Sequence, residues 1–284
     1  YNWVLEFDIK GLFDNIDHVL LMKAVEKHTN IKWVKIYIER WLKAPFQTKE
    51  GVKERTSGTP QGGVISPVLA NLFLHYTFDK WMTIKHPNNP FTRYADDAVI
   101  HCNSEAEAVR LLESLNNRMN ECKLELHPTK TRIVYCKDGD RKANHENISF
   151  DFLGYTFRPR RSKNRWGKHF VNFTPAISNK SKKSIRQEVR DWRLQLKAEK
   201  DLEDLSNMFN SKIIGWINFY GKFYKSEMYP TLRHINKALI MWARKKYKRL
   251  ARHKKRAEYF LGRIANQNPK FFKHWELGIK PTAE

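Results

Sequence analysis

Two adjacent carboxylates, Asp96 and Asp97, lie inside the segment FTRYADDAVIHC (91–102), between two runs of apolar and β-branched residues. Carboxylates are seldom placed inside such a run unless a cation or a hydrogen-bond donor accompanies them. A third acid, Asp8, has a similar setting near the end of the apolar run WVLEFDI (3–9). Because acids at the ends of neighbouring strands can converge across a long stretch of sequence, we expect the three carboxylates to share one site.

Three carboxylates in one place cannot all remain ionised unless cations compensate them. Mg²⁺ is the natural candidate, since it is a hard cation that takes oxygen ligands and keeps waters for phosphate oxygens. Two such ions about 3.5–4 Å apart would stabilise the attacking and leaving oxygens of an in-line phosphoryl displacement. The alternative interpretation is that Asp96 and Asp97 form only a polar hairpin turn.

The elements that would position these acids are strands and helices in alternation. FTRY and AVIHC predict a hairpin with the acids at its tip, and WVLEFDI predicts a buried strand. Helical patterns are found at 20–28, 33–44, 68–82 and 104–122, and further strand patterns at 123–136 and 148–159. This alternation, which continues to about residue 157, is typical of an α+β domain.

Beyond about residue 175 the apolar residues recur only at helical spacing, which predicts an all-α bundle. The predicted apolar faces consist of Ile185, Val189, Trp192 and Leu196; of Leu202, Leu205, Met208 and Phe209; and of Leu232, Ile235, Leu239 and Trp242. The boundary between the two regions is placed within 158–177, because the segment RPRRSKNRWGK there is strongly basic. We predict that this segment is a mobile connecting loop.

The net charge of +23 is concentrated in the second half of the chain. Residues 1–150 contain 21 Lys and Arg against 19 Asp and Glu, whereas residues 151–284 contain 32 against 11. Such an excess attracts a polyanion and gives salt-dependent affinity for phosphate backbones. A solvated basic surface without a partner is the alternative.

Several other classes of protein are disfavoured. No apolar run approaches the ~18–20 residues that a bilayer span needs, and no secretory signal pattern opens the chain. The three cysteines form no CxxC pair, which argues against a disulfide framework or a zinc cluster and favours a reducing compartment. The absence of an initiator Met before Tyr1 suggests that the sequence is a fragment of a longer protein.

Four segments, taken in order, resemble the motifs of a reverse transcriptase, and in particular those of a bacterial group II intron-encoded protein. FDIKGLFDNIDH (7–18) resembles the first palm motif, and GTPQGGVISPVLANLFLH (58–75) resembles the template and nucleotide motif. FTRYADDAVIHC resembles the Tyr-x-Asp-Asp hairpin, and FDFLGYTF (150–157) resembles the primer grip. A fifth segment, GWINFYGKFY (215–224), is similar to the thumb or maturase region of that family.

The resemblance implies a right-hand polymerase palm, an antiparallel sheet with helices, followed by an all-α thumb or maturase bundle. The implied domains are a palm with partial fingers (1–157), a basic connecting loop (158–177), a thumb or maturase domain (178–250) and a basic C-terminal extension (251–284). It also implies an RNA-directed DNA polymerase that uses two Mg²⁺ or Mn²⁺ ions and dNTP substrates. The implied partners are group II intron RNA, an RNA template and a DNA primer, within a cytoplasmic ribonucleoprotein that assists splicing and mobility.

The family's metal and nucleotide residues correspond to particular positions of this sequence. Asp8 and Asp96 would ligate Mg²⁺ with the backbone carbonyl of Ile9, and Asp97 would support the second metal. Phe13 would be the bulky gate that clashes with a 2′-hydroxyl, with core packing as the alternative. The remaining nucleotide-binding residues would be Gln61, Gly62 and Lys130, the last as a general acid on pyrophosphate or, alternatively, as an exposed lysine without that role.

The nucleic-acid contacts implied by the resemblance lie in both halves of the chain. Template and primer would contact Gly63, Tyr94, Leu153, Gly154 and Tyr155, although ordinary strand packing is the alternative for 153–155. The predicted RNA-binding cations are Lys180, Lys182, Lys183 and Arg186.

Two alternative functions remain open at the level of sequence. The family carries fingers segments before its first palm motif, so this chain could be an RNA-binding maturase fragment that performs no chemistry. A reverse transcriptase of a retron, of a diversity-generating element or of a CRISPR-linked system is the second alternative.

Overall fold

The computed structural model describes residues 1–48, 51–60 and 62–283. The chain divides into two compact units, one formed by residues 1–150 with 163–171 and the other by residues 151–162 with 172–284. Nowhere in these described ranges does a helix combine the length and the apolar character that crossing a membrane requires.

A four-stranded antiparallel sheet organises the first unit. Its strand order is β4-β5-β1-β6, where β1 is Trp3–Phe7, β4 is Phe91–Tyr94, β5 is Asp97–Cys102 and β6 is Arg132–Tyr135. Strand β1 is almost wholly buried, as its apolar run predicts, because it lies in the sheet interior and packs against helices. The central position of β1 places its C-terminal end beside the tip of the β4–β5 hairpin.

Helices and one small hairpin complete this unit. They are α1 (Leu12–Asn15), α2 (His18–Glu26), α3 (Lys32–Lys43), β2 (Phe46–Thr48), β3 (Gly51–Lys53), α4 (Ser66–Leu74), α5 (Lys80–Lys85) and α6 (Glu105–Glu121). A π-helical turn at His75–Asp79 joins α4 to α5. Such a turn widens the helix and disturbs its hydrogen bonds. The Arg118 side chain of α6 donates to the carbonyls of Thr77 and Tyr76 within that turn, at 3.0 and 3.1 Å.

A second sheet replaces the connecting loop that was predicted at 158–177. Strands β7 (Phe150–Phe152), β8 (Tyr155–Lys163) and β9 (His169–Ile177) form it in the order β7-β8-β9. The loop prediction was wrong because it weighed the basic residues of the segment above the β-forming residues of HFVNFTPAI. Arg158, Arg161 and Lys163 of β8 face solvent. Arg160 is buried and forms an ion pair with Glu227, and Ala176 and Ile177 are also buried.

After β9, the described residues of the second unit form helices, as predicted. Its helices are α7 (Asn179–Asp191), α8 (Leu202–Tyr220), α9 (Tyr229–Lys246), α10 (Lys254–Gln267) and α11 (Lys273–Glu276). Most residues of the predicted apolar faces are buried, but Leu196 is 67% exposed and Met208 is 43% exposed. Leu196 is exposed because the helix does not reach it. Helix α7 ends at Asp191, and the left-handed backbone of Arg193 interrupts the helical spacing ahead of Leu196.

The α+β class followed by a helical region is therefore confirmed, but the helical core does not stop at residue 250. Leu261, Phe272, Trp275 and Ile279 belong to the same buried cluster as Leu239 of α9. The basic segment 251–284 is thus part of the second hydrophobic core rather than a separate extension.

A buried histidine makes this core sensitive to acid. The Asn236 Oδ1 atom accepts hydrogen bonds from His274 Nε2 at 2.7 Å and from Trp275 Nε1 at 2.9 Å. The Nδ1 atom of His274 is buried and has no partner. Burial lowers the pKa of His274 to about 3, because the charged imidazolium would lose its hydration. The native state therefore requires the neutral imidazole.

We expect the free energy of unfolding to fall between pH 6.5 and pH 3, by roughly 1 kcal/mol per pH unit from this histidine. The free energy of unfolding falls as the pH falls because protons bind this histidine in the unfolded chain near pH 6.5 but not in the folded chain, which favours the unfolded state. Urea unfolding at several pH values measures this slope. A His274→Phe variant should show a flatter pH profile, and His253→Phe, at an exposed site, is the matched control. Equal slopes in the wild type and both variants would contradict the assignment.

Candidate active site and nucleic-acid interface

The predicted hairpin with acids at its tip is confirmed. Strands β4 and β5 are joined by the two-residue turn Ala95-Asp96, and the last cross-strand pair is Tyr94 with Asp97. Ala95 has a φ of 53°, in the left-handed region that a two-residue turn often requires and that a non-glycine residue adopts at a cost. The turn thereby holds Asp96 at the apex and Asp97 at the start of β5.

Asp8 reaches the same edge of the sheet from the neighbouring strand. In the β1–β5 ladder Phe7 pairs with Ala98, so the next position of the same register sets Asp8 opposite Asp97. The Asp8 side chain is only 16% exposed. Its backbone carbonyl accepts a hydrogen bond from the His127 amide at 2.8 Å, which fixes the chain directly after β1. Ile9 bridges Leu126 in the same segment, and its side chain is buried.

Lys130 is the cation that faces these carboxylates. Its Nζ atom lies 2.7 Å from Oδ2 of Asp8, while the side chain remains 57% exposed. The hydrogen bond to Asp8 raises the pKa of Lys130 above its usual value; the charge of Asp8 adds to the increase, with further contributions from Asp97 and Asp96. One ammonium thus experiences the field of all three predicted acids, which is the compensation that such a cluster needs.

The chemistry of these acids suits a divalent metal, but their arrangement is not that of an assembled metal centre. Carboxylate oxygens are the ligands that Mg²⁺ prefers, and reverse transcriptases generally use divalent metals. Within residues 1–48, 51–60 and 62–283, however, no three His, Cys, Asp or Glu side chains are grouped closely enough to hold an ion. Lys130 instead occupies one oxygen of Asp8.

Phe13 is half-buried in α1 and is positioned by the loop that follows β3. The Thr59 amide donates to the Phe13 carbonyl at 2.6 Å, and the Gly58 amide donates to the Ile16 carbonyl at 2.8 Å. Gly58 has a φ of 77°, and an added Cβ would lie 2.5 Å from the Phe13 carbonyl oxygen. Sequence reasoning did not single out Gly58, although it is the first residue of GTPQGGVISPVLANLFLH, and a glycine can mark a point where two backbone segments approach closely.

The continuation of this loop carries the predicted nucleotide contacts. Gln61 lies outside the described residues. Gly62 is exposed with a φ of 81°, and nothing lies within 4 Å of the position that a Cβ would take. At Gly63 a Cβ would come within 2.7 Å of the Ser66 hydroxyl, which itself donates to the Pro60 carbonyl at 2.7 Å. Gly63 is therefore needed for close packing at the start of α4.

The predicted template and primer residues differ in their accessibility. Tyr94 is 65% exposed at the end of β4, so its ring is available to a ligand. Leu153 and Gly154 form the left-handed turn between β7 and β8, with φ values of 49° and 79°. Tyr155 is only 8% exposed, and its hydroxyl donates to the Phe219 carbonyl. Tyr155 is thus the least accessible of these residues, and its primer contact stays a prediction.

The predicted RNA-binding cations of α7 also divide into two groups. Lys180 and Lys183 are exposed. Lys182 is only 17% exposed and forms an ion pair with Glu227, which also pairs with Arg160. Lys182 is therefore less accessible to RNA than its neighbours, and its RNA contact stays a prediction. The buried Nε atom of Arg186 has no hydrogen-bond partner.

Two family comparisons cover both regions of the chain. Residues 1–157 match the family described as reverse transcriptase (RNA-dependent DNA polymerase). Residues 182–260 match the family described as group II intron, maturase-specific domain. The two matches follow each other along the chain, as the sequence motifs predict.

Individual relatives are more distant. The chain is 26% identical over 302 aligned positions to the group II intron-encoded protein LtrA of Lactococcus lactis subsp. cremoris, which covers 77% of this chain and 48% of that protein. It is 28% identical over 194 positions to protein YkfC of Escherichia coli (strain K12), covering 57% of this chain and 48% of that protein. A solved telomerase from Candida albicans, in complex with the TWJ fragment of telomeric RNA, is 13% identical with a TM-score of 0.45, covering 98% of this chain and 50% of that one. The chain spans about half the length of the two bacterial relatives.

Proposed function

This chain belongs to the reverse transcriptase (RNA-dependent DNA polymerase) family, and we propose that it copies RNA into DNA as part of a group II intron ribonucleoprotein. The observation that supports this most directly is the placement of Asp8, Asp96 and Asp97 at one sheet edge around the Lys130 ammonium. We assign the palm with partial fingers to residues 1–157 and the thumb or maturase domain to the helical region that begins at residue 178.

In the proposed reaction the 3′-hydroxyl of a DNA primer attacks the α-phosphorus of a dNTP. A new phosphorus–oxygen bond forms as the hydroxyl releases its proton to water, the bond between the α-phosphorus and its bridging oxygen breaks, and pyrophosphate leaves. Mg²⁺ held by Asp8, Asp96, Asp97 and the Ile9 carbonyl would stabilise the attacking and leaving oxygens. Gln61 and Gly62 would contact the nucleotide, while Gly63, Tyr94, Leu153 and Gly154 would position template and primer.

Lys130 has a specific part in this proposal. Its contact with Asp8 raises its pKa, which favours the protonated ammonium in this arrangement. Asp8 would hold a divalent cation that balances its charge, and the Lys130 ammonium would then be available to turn towards the phosphates. There it would donate a proton to the departing pyrophosphate. Since the Lys130 side chain is 57% exposed, this movement meets little steric resistance.

The direct test is primer extension on an RNA template with Mg²⁺ and dNTPs, using the purified chain. Incorporation that depends on both the RNA template and Mg²⁺ would support the proposal. Template-independent incorporation, or none at any Mg²⁺ or Mn²⁺ concentration by a chain that binds primer and template, would contradict it.

A Phe13→Val variant should accept ribonucleotides far better than the wild type. The phenyl ring would clash with the 2′-hydroxyl of an incoming nucleotide, and a smaller side chain removes that clash. We expect the preference for dNTP over rNTP, measured as the ratio of kcat/KM values, to fall roughly 10–200-fold. An unchanged ratio in an active variant would show that Phe13 serves only for packing.

A second candidate function is RNA binding by the helical unit without polymerase chemistry, in a cytoplasmic maturase complex that assists intron folding. The observation that favours it is the charge of residues 151–284, together with the exposure of Lys180 and Lys183. RNA affinity that falls steeply with salt, in a chain that extends no primer, would favour this alternative. Such binding alongside extension would show that both functions coexist.

A further inference from the structure

A cavity of about 480 Å³ in the second unit is lined by basic side chains from three helices. Arg186 and Arg190 come from α7, His234, Lys237 and Arg244 come from α9, and Lys254 is the first residue of α10. None of the described side chains that line the cavity is acidic. Cations that converge on one space without a counter-charge repel one another, so the arrangement favours an anion there.

Two further features point to an anionic ligand. The buried Nε atom of Arg186 has no hydrogen-bond partner, and such an unsatisfied donor is costly unless a ligand satisfies it. The pKa of His234 is lowered by burial first and then by the charges of Lys237, Arg186 and Arg190. These cations therefore act on the same space as the imidazole, and a bound anion would relieve their mutual repulsion.

Apolar side chains also line the cavity. Val189, Ala238 and Ile240 are buried, while Met241 is 48% exposed. The volume lies within the range of small-molecule sites and exceeds what a single phosphate needs. A ligand that combines a phosphate with a less polar group would suit this mixed lining, and a nucleotide unit has that composition.

We propose that this cavity binds one nucleotide of an RNA, with its phosphate between Arg186, Arg190 and Lys237 and its nucleoside against Met241. Arginine suits this role because its planar guanidinium can hold two phosphate oxygens at once. The identity of the occupant rests on the proposed RNA-binding role of the helical unit. The site is separate from the exposed Lys180 and Lys183 at the start of α7.

The test compares an Arg190→Gln, Lys237→Gln double variant with a Lys222→Gln, Lys270→Gln control, using the full chain and a structured RNA. All four side chains belong to exposed residues, and the control residues do not line the cavity, so both variants remove two charges without disturbing the core. The cavity variant should bind RNA at least about tenfold more weakly than the control, because it can no longer form these charge-assisted hydrogen bonds. Its slope of log affinity against log salt should also decrease by about 0.7–0.9 for each phosphate that the protein no longer neutralises.

The nuclear magnetic resonance signal of the His234 ring provides an independent measurement. It should shift when RNA is added to the wild type and to the control, and not in the cavity variant. Equal loss of affinity in both double variants would contradict the cavity as the nucleotide site, but it would not contradict the proposed RNA binding. A wild type that binds no RNA would contradict the proposed nucleotide site and the proposed RNA binding together. A His234 shift with inorganic phosphate but not with RNA, at matched ionic strength, would overturn RNA as the occupant.

Discussion

Primer extension by an Asp96→Asn, Asp97→Asn double variant is expected to fall at least about 10²–10³-fold below that of the wild type, the range for loss of one preorganised electrostatic group. The expectation follows from the position of the two acids. Asp96 occupies the turn of the β4–β5 hairpin, Asp97 begins β5, and Asp8 lies opposite Asp97 in the extended register. Amide side chains keep this shape but cannot balance the charge of a divalent cation.

The variant should fold normally, because these residues lie at an edge rather than in the core. Asp97 is exposed, and the adjacent Ala98, Val99 and Ile100 carry the packing of β5. Circular dichroism and the thermal midpoint therefore serve as controls for folding. An Asp140→Asn, Glu146→Gln double variant, at exposed positions of the same unit, is the matched control for loss of two carboxylates. Retained extension in a pure preparation of the double variant would remove these acids from the proposed catalytic centre.

An additional measurement separates charge compensation from simple loss of structure. With Asp96 and Asp97 converted to amides, only Asp8 of the three acids continues to raise the pKa of Lys130. The Lys130 pKa in the double variant should therefore lie below its wild-type value and still above the ordinary one. A Lys130 pKa that does not change would indicate that the hairpin acids lie too far away to share a site.

The part of the site formed by strand ends was predictable from sequence, because β-strand periodicity is local. The segments FTRY and AVIHC with a short turn between them are sufficient to predict the hairpin. The apolar run before Asp8 is sufficient to predict the buried strand β1. The contact between Asp8 and Lys130 was not predictable from spacing, since 122 positions separate them and the intervening helices set the distance.

Other differences between the sequence-based predictions and the structure share a physical cause, because tertiary contacts outweighed a local sequence signal. The basic residues of 158–168 suggested a long loop, but β8 continues to Lys163 and only 164–168 turn the chain into β9, because the two strands pair with each other. Lys182 looked like its neighbours in sequence, yet its helical position directs it to Glu227. Charge counting identifies a basic region, whereas packing decides which of its members face solvent.

Among glycine-to-alanine substitutions in the candidate site, Gly58→Ala should lower the free energy of unfolding the most. Gly58 has a φ of 77°, where a Cβ costs about 1–2 kcal/mol. The new methyl group would also lie 2.5 Å from the Phe13 carbonyl oxygen and 2.7 Å from that of Asp14. Backbone atoms cannot move aside as a flexible side chain can, so overpacking should add about 1–3 kcal/mol.

Gly62→Ala provides a matched control for this prediction. Gly62 has a similar φ of 81°, but nothing lies within 4 Å of the position of its added Cβ. The control therefore measures only the cost of placing a Cβ on a backbone with positive φ. The free energy of unfolding of the Gly62→Ala variant, measured in urea, should fall by only about 1–2 kcal/mol. If both variants lost the same stability, the close approach of Gly58 to α1 would be contradicted.

The same comparison links stability to substrate choice. The Gly58 loop holds α1 through the hydrogen bonds from Thr59 to Phe13 and from Gly58 to Ile16. An alanine at position 58 must push α1 away, and the Phe13 ring moves with its backbone. Gly58→Ala should therefore weaken the discrimination between dNTP and rNTP in whatever activity survives, as Phe13→Val does, although the aromatic ring is still present. Discrimination equal to that of the wild type, in a destabilised but active variant, would show that the ring is positioned without this loop. The loop would then contribute to folding alone.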